Sequence, residues 1–183
     1  MGGDAVGQQK SLKDELIGAW LHISTKYKFP DGKTEDAFGP GARGILILDA
    51  SGRVAFVNMR ASLPKFASND RMNGTAEEYK AIGQGSYAFF GTYTVNEADR
   101  SFTIHVEGST FPNYDGANQK RSSITLVGDE LRYSNPVATI GPGVVVESGS
   151  EPIRPFVNFL GPGADFGCPA DAGGTGFRKL AEA

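Results

Sequence analysis

The chain is 183 residues long, with a hydrophobic fraction of 39% and a formal charge of -3 at pH 7, which suits one domain around a single core. A pI near 5.4 and the lack of any lysine or arginine run exclude a surface built to track a phosphate backbone, so nucleic acid is not an expected partner. No stretch approaches the ~20 apolar residues that span a bilayer as a helix, so membrane insertion is not expected, and a single cysteine, Cys168, excludes an internal disulfide framework or a cysteine-rich zinc site.

Residues 1–10, MGGDAVGQQK, have almost no apolar content and are expected to form a disordered arm, leaving 11–183 as the domain. A helical turn is predicted at 11–17, with Ser11 as N-cap and Asp14 three residues on. Gly18 and Trp20 open a long strand that runs to about Phe29, and Pro30-Asp31-Gly32 closes it as a turn, since proline presets φ and glycine accepts the positive one. Gly39-Pro40-Gly41-Ala42-Arg43-Gly44 invites comparison with a phosphate-binding loop, but it lacks the GK[ST] ending and a following helix. Strands at 45–49 and 53–60 are joined by Ala50-Ser51-Gly52 as a hairpin.

A helix is predicted from Thr75 to about Gly83, because Glu78 stands three residues after Thr75 and acidic side chains fill the first turn. Strands resume at 86–95, 102–109, 119–127 and 130–134, separated by turn signals at 96–100, 112–116 and 128–129. Beyond Asn135 the GPG triplets at 141–143 and 161–163 and the glycine-rich run around Cys168 predict long loops over about 136–176, as lids or as plain connections. Within them, 144–146 and 156–160 are candidate strands, the second an edge strand marked by Pro152 and Pro155, and 177–180 is a candidate closing strand. Cys168, with no histidine near it in sequence, reads as a bystander thiol. The whole is an all-β pattern, an antiparallel barrel or sandwich with one or two short helices, and barrel closure is the way such a meander removes its edges.

Between Phe102 and Glu107 the period of two puts Phe102, Ile104 and Val106 on one face and Thr103, His105 and Glu107 on the other. His105 and Glu107 are either an exposed polar face or a pair in a polar cavity, joined by His22 and Arg60 if those face inward. Two histidines and a glutamate without an HxH or HExxH pair do not predict a metal site, and no cofactor is expected. The aromatics Tyr87, Phe89 and Tyr93 are core residues or the walls of an apolar pocket.

Several motifs in series resemble the bacterial lipocalin-like domain family: Gly18-x-Trp20, Asn58-Met59-Arg60 followed by Pro64-Lys65-Phe66, Gly74-Thr75-x-Glu77-Glu78, Phe90-Gly91-Thr92-Tyr93, His105-x-Glu107-Gly108-Ser109 with Phe111-Pro112-Asn113, and Gln119-x-Arg121. The resemblance runs from about Leu12 to Pro136. It implies an up-and-down β-barrel whose cavity holds one small, mainly apolar or amphipathic molecule, with His105, Glu107, Arg60, Asn58, Phe56, Tyr87, Phe89, Tyr93 and His22 as candidate ligand residues. It further implies that Trp20, beside Gly18, plugs one end, with Arg121 or Arg178 stacked on its ring. Relatives of this kind finish soon after an Asn-Pro pair like Asn135-Pro136, whereas this chain continues to Ala183. They also carry a secretory signal ending before a stretch like Gln9 to Lys13, so the expectation is a mature periplasmic or secreted protein with an added Met1.

The leading expectation is a ligand-binding barrel. The alternative is an enzyme of the same fold that isomerises or cyclises an apolar substrate with His105 and Glu107 as acid and base. A third reading gives the C-terminal segment a partner-docking role and predicts that removing everything after Pro136 abolishes assembly but leaves any cavity binding intact; a homo-oligomer is a further candidate assembly.

Overall fold

The computed structural model describes residues 10–138 and 140–153. Helix α1 (Leu12–Leu16) is followed by β1 (Gly18–Lys28), β2 (Thr34–Asp36), β3 (Arg43–Leu48) and β4 (Arg53–Met59). Then come helix α2 (Ala76–Gly85), β5 (Ser86–Asn96), β6 (Ser101–Ser109), a single 3-10 turn at Pro112–Tyr114, β7 (Asn118–Val127), β8 (Glu130–Asn135) and β9 (Val145–Pro152). The strand order is β2-β1-β3-β4-β5-β6-β7-β8-β9, with β9 returning to β1. Every pairing is antiparallel. Eight strands therefore close an up-and-down barrel, and β2 is an extra strand on the upper part of β1.

Closure falls to β9, which pairs with β1 from Trp20↔Pro152 to Lys28↔Val145 and with β8 from Leu131↔Ser150 to Asn135↔Val146. Only the start of this strand matches the candidate at 144–146. Its inward side carries Ser148 and Ser150, Gly149 lies between them, and Pro152 ends it, so the alternation that marks other strands is muted. The candidate strands at 156–160 and 177–180, Cys168, Arg178 and the arm at 1–9 lie outside the described residues.

Three irregularities set which side chains face the interior. The β1/β9 register shifts between His22 and Ser24, the β5/β6 register between Phe90 and Gly91, and the β7/β8 register between Ser122 and Thr125. Each bulge adds a residue, so inward positions on either side of it no longer differ by an even number. Trp20 and Thr25 on β1 are both buried, and so are Arg121 and Ile124 on β7.

One end of the barrel is an apolar plug. Leu12 and Leu16 of α1 pack with Trp20, Leu46, Leu48, Val54, Tyr93, Phe102, Ile104 and Leu131, and each buried leucine contributes about 1.5–3 kcal/mol relative to exposure. Ser11 caps α1 by accepting from the Asp14 backbone N–H. The Glu97 carboxylate accepts from the N–H groups of Leu12 at 2.8 Å and Lys13 at 3.1 Å, which ties the helix to the β5–β6 turn. Trp20 Nε1 donates to the Leu16 carbonyl at 2.9 Å. At the opposite end, α2 starts on a capping box in which Thr75 and Glu78 each accept from the other's backbone N–H, and its last turn reaches the barrel mouth.

Candidate functional site

Above the apolar plug the interior changes character. A chamber of about 60 Å³ is lined by Thr25, Tyr27, Phe56, Tyr87, Phe89, Tyr114, Gln119, Arg121, Tyr133, Asn135, Val146 and Ser148. A second space of about 410 Å³ lies at the mouth, against Phe38, Arg60, Gln84, Phe111 and Ile140 among others, and Tyr27 and Tyr87 belong to both. The chamber is several times the ~10–15 Å³ that one water requires, yet far below the ~300–1,000 Å³ of a pocket that encloses a drug-sized ligand; the mouth falls inside that range.

The chamber walls are aromatic. Phe56 and Phe89 stack at 4.8 Å between centroids with an interplanar angle of 14°. Tyr87 meets Phe56 at 5.9 Å and Tyr114 at 6.4 Å, and Tyr114 meets Phe111 of the mouth edge-on at 5.2 Å. The 3-10 turn after β6 carries Tyr114 inward, so a connecting segment completes the wall.

Arg121 stands among these rings. It is 5% exposed and its neighbour on the same face, Gln119, is 6% exposed. Its guanidinium donates from Nη2 to Gln119 Oε1 at 2.9 Å and from Nη1 to the Lys120 carbonyl at 3.4 Å. Among the described residues no Asp or Glu forms a salt bridge with it. Burial pulls its pKa down, while the hydroxyls of Tyr133, Tyr87 and Tyr114 oppose that shift; a guanidinium starts so high that it stays charged at neutral pH. An isolated buried ion costs several kcal/mol even after relaxation, so this charge is retained against the fold's own interest.

Three polar atoms beside it, Tyr87 Oη, Tyr114 Oη and Gln119 Nε2, are buried and form no hydrogen bond of good geometry among the described residues. Burial pushes the Tyr87 hydroxyl up to about 12, with Ser109, the Arg121 charge and Gln119 close enough to pull it part of the way back. Tyr114 and Tyr133 are likewise raised by burial, against the Arg121 charge. The chamber is thus a set of buried donors around one cation.

The residues singled out from the sequence separate into groups. Phe56, Tyr87 and Phe89 line the chamber, and Arg60 lines the mouth. Asn58 is fully inside the barrel, with Nδ2 at 3.5 Å from Thr25 Oγ1, packed so closely against Gly44 that a Cβ there would overlap it. Tyr93 belongs to the plug, its hydroxyl donating to the Asp49 carbonyl at 2.9 Å. His22 sits at the β1 bulge, 3.0 Å from Thr25 Oγ1 and edge-on to Phe38. Burial lowers its pKa, offset in part by the Ala42 backbone.

His105 and Glu107 are not in the chamber. Phe102, Ile104 and Val106 take the inner face of β6 and both polar residues point outward, because the apolar set is the one the barrel interior can bury. Glu107 accepts from Arg53 Nη1 at 2.7 Å and Nη2 at 2.8 Å, and this pair holds its carboxyl below the usual range. His105 Nδ1 lies 3.0 Å from Asn118 Oδ1. Arg121, one of the two arginines that the resemblance offers for the Trp20 ring, directs its polar contacts to Gln119 and Lys120 inside the chamber. Tyr114, Gln119, Tyr133, Asn135 and Ser148 were missed; the polar Gln119-x-Arg121 spacing on one strand face was the available signal.

Other features have ordinary explanations. An outer trough of about 430 Å³ runs past Glu130, Arg132 and Glu147, where Arg132 pairs with Glu130 and Lys28 with Glu147 on the surface. No group of three or more His, Cys, Asp or Glu side chains able to hold a metal occurs among the described residues, and no described helix is long and apolar enough to cross a membrane.

A family model described as the lipocalin-like domain matches residues 17–141, from the start of β1 through β8. The closing strand β9 lies beyond the matched span. No curated protein matches the chain.

Proposed function

The chain belongs to the lipocalin-like domain family, and from that premise we propose that it is a binding protein that takes one small molecule through the open end of its barrel. The observation that carries this reading is the pairing of an inner chamber of about 60 Å³ with a mouth of about 410 Å³, two of whose lining residues, Tyr27 and Tyr87, are common to both. Aromatic walls supply apolar burial with little rotamer entropy to lose, and a few polar groups fix orientation, the usual division of labour in a ligand site. The ligand is small and mainly apolar, with its body in the mouth against Phe38, Phe111 and Ile140 and one end in the chamber.

Native mass spectrometry of the gently purified full chain, alone and with a panel of apolar and amphipathic compounds, tests the proposal. A complex of one molecule per chain is the expected result. A chain that stays bare across the panel contradicts it.

A further inference from the structure

Resting on that binding reading, we infer that the ligand carries an anionic head, a carboxylate, which enters the chamber and pairs with Arg121, while its apolar remainder occupies the mouth. Three independent observations support the assignment. Arg121 is a 5%-exposed cation whose hydrogen bonds among the described residues go to a neutral amide and a backbone carbonyl, and no described Asp or Glu pairs with it. The hydroxyls of Tyr87 and Tyr114 and the amide nitrogen of Gln119 are buried donors in the same chamber that form no hydrogen bond of good geometry among the described residues. The chamber, at about 60 Å³, admits a head group and excludes a chain, whereas the mouth has the volume and the aromatic lining for the chain.

These facts fit one kind of guest. A carboxylate offers two oxygens and about four acceptor sites, which complement a guanidinium fork and neighbouring hydroxyl and amide donors. A neutral apolar guest would leave the guanidinium charge without a counter-ion and the three donors without well-formed hydrogen bonds, and a cation would face Arg121 directly. The hydroxyls of Tyr87 and Tyr114 serve as donors at neutral pH, since burial keeps both protonated.

Isothermal titration calorimetry on the full chain with decanoate, decan-1-ol and acetate tests the inference. Decanoate is expected to bind one per chain, at least tenfold more tightly than decan-1-ol and at least tenfold more tightly than acetate. Arg121→Gln is expected to weaken decanoate at least tenfold and to leave decan-1-ol unchanged. The wild-type comparison decides the matter even if the variant fails to fold. Equal affinity for decanoate and decan-1-ol overturns the anionic head and leaves the binding proposal standing. Acetate binding as tightly as decanoate overturns the amphipathic guest in favour of a small free anion. Failure of both ten-carbon probes to bind overturns the inference together with the cavity reading on which it rests.

Discussion

Arg121 donates through Nη2 to the Oε1 of Gln119 at 2.9 Å, two residues back on the same inward face of β7. A neutral amide therefore steadies the guanidinium while doing nothing to its charge. That relationship separates stability from function in this barrel: a residue held for folding alone would be paired or replaced, because burying an unmatched ion is costly.

Replacing Arg121 with Met should therefore not destabilise the ligand-free protein. Substituting apolar groups for buried charge in other proteins ranges from neutral to about 1–4 kcal/mol stabilising, and the same range is expected here in urea unfolding. A loss of more than about 2 kcal/mol would show that the guanidinium is a structural element.

Burial of tyrosines fixes the alkaline behaviour. Tyr87 is raised from 10.0 to about 12, and Tyr93, Tyr114 and Tyr133 shift in the same direction. The folded state thus holds protons that the unfolded state releases first, so the associated stability is complete below pH 10 and is lost as pH climbs from 10 toward 12. Denaturation curves between pH 9 and 12 should show this fall, and Tyr87→Phe should make it shallower. An unchanged slope in Tyr87→Phe would mean that its hydroxyl titrates normally.

His105→Ala and Glu107→Ala should leave ligand affinity unchanged. Both side chains lie on the outer face of β6, and Glu107 is engaged by Arg53. The exposed pair adds a small, salt-screened increment, present above the ordinary carboxylate pKa and lost as pH falls through the depressed folded value. A tenfold loss of affinity in either variant would place chemistry outside the barrel.

Gly91→Ala should cost about 1–3 kcal/mol, the usual range for overpacking. A Cβ on Gly91, opposite the β6 bulge, would lie 2.0 Å from the His105 carbonyl oxygen, and main chain in a paired strand has little room to move. Thermal unfolding checks it; a variant with the wild-type midpoint would mean that the β5–β6 pairing is looser than the register implies.

A chain ending at Pro136 should lose both folding and ligand binding, contrary to the expectation that cavity binding survives such a truncation. It lacks β9, which closes the barrel against β1 and β8 and brings Val146 and Ser148 to the chamber. Opening the barrel exposes two strand edges to aggregation. Retained binding by this shortened chain would contradict the topology.

The strands of the barrel were legible because Phe102, Ile104 and Val106, or Leu46 and Leu48, repeat at a period of two, and Phe56, Tyr87 and Phe89 could be read as pocket walls for the same reason. The closing strand was only half legible, since Ser148 and Ser150 face a partly polar interior and blur the pattern that apolar burial imposes elsewhere. The chamber was harder to read: Gln119 and Arg121 share a face of β7 by strict alternation, but both are polar, so that face did not read as inward, and the shift at Ser122/Thr125 puts apolar Ile124 on the same side at an odd spacing. His105 and Glu107 have the chemistry of a site, although Phe102, Ile104 and Val106, which alternate with them, already mark the opposite face of β6 as the buried one.

The most direct test of an anion held at Arg121 is the NMR pH titration of decanoate labelled with ¹³C at its carboxyl, bound to the wild-type protein. Pairing with a buried arginine should lower the titration midpoint of the bound carboxyl by about 1–3 units relative to the free acid. A midpoint equal to or above that of the free acid would contradict the account, because it would place the head group away from the guanidinium.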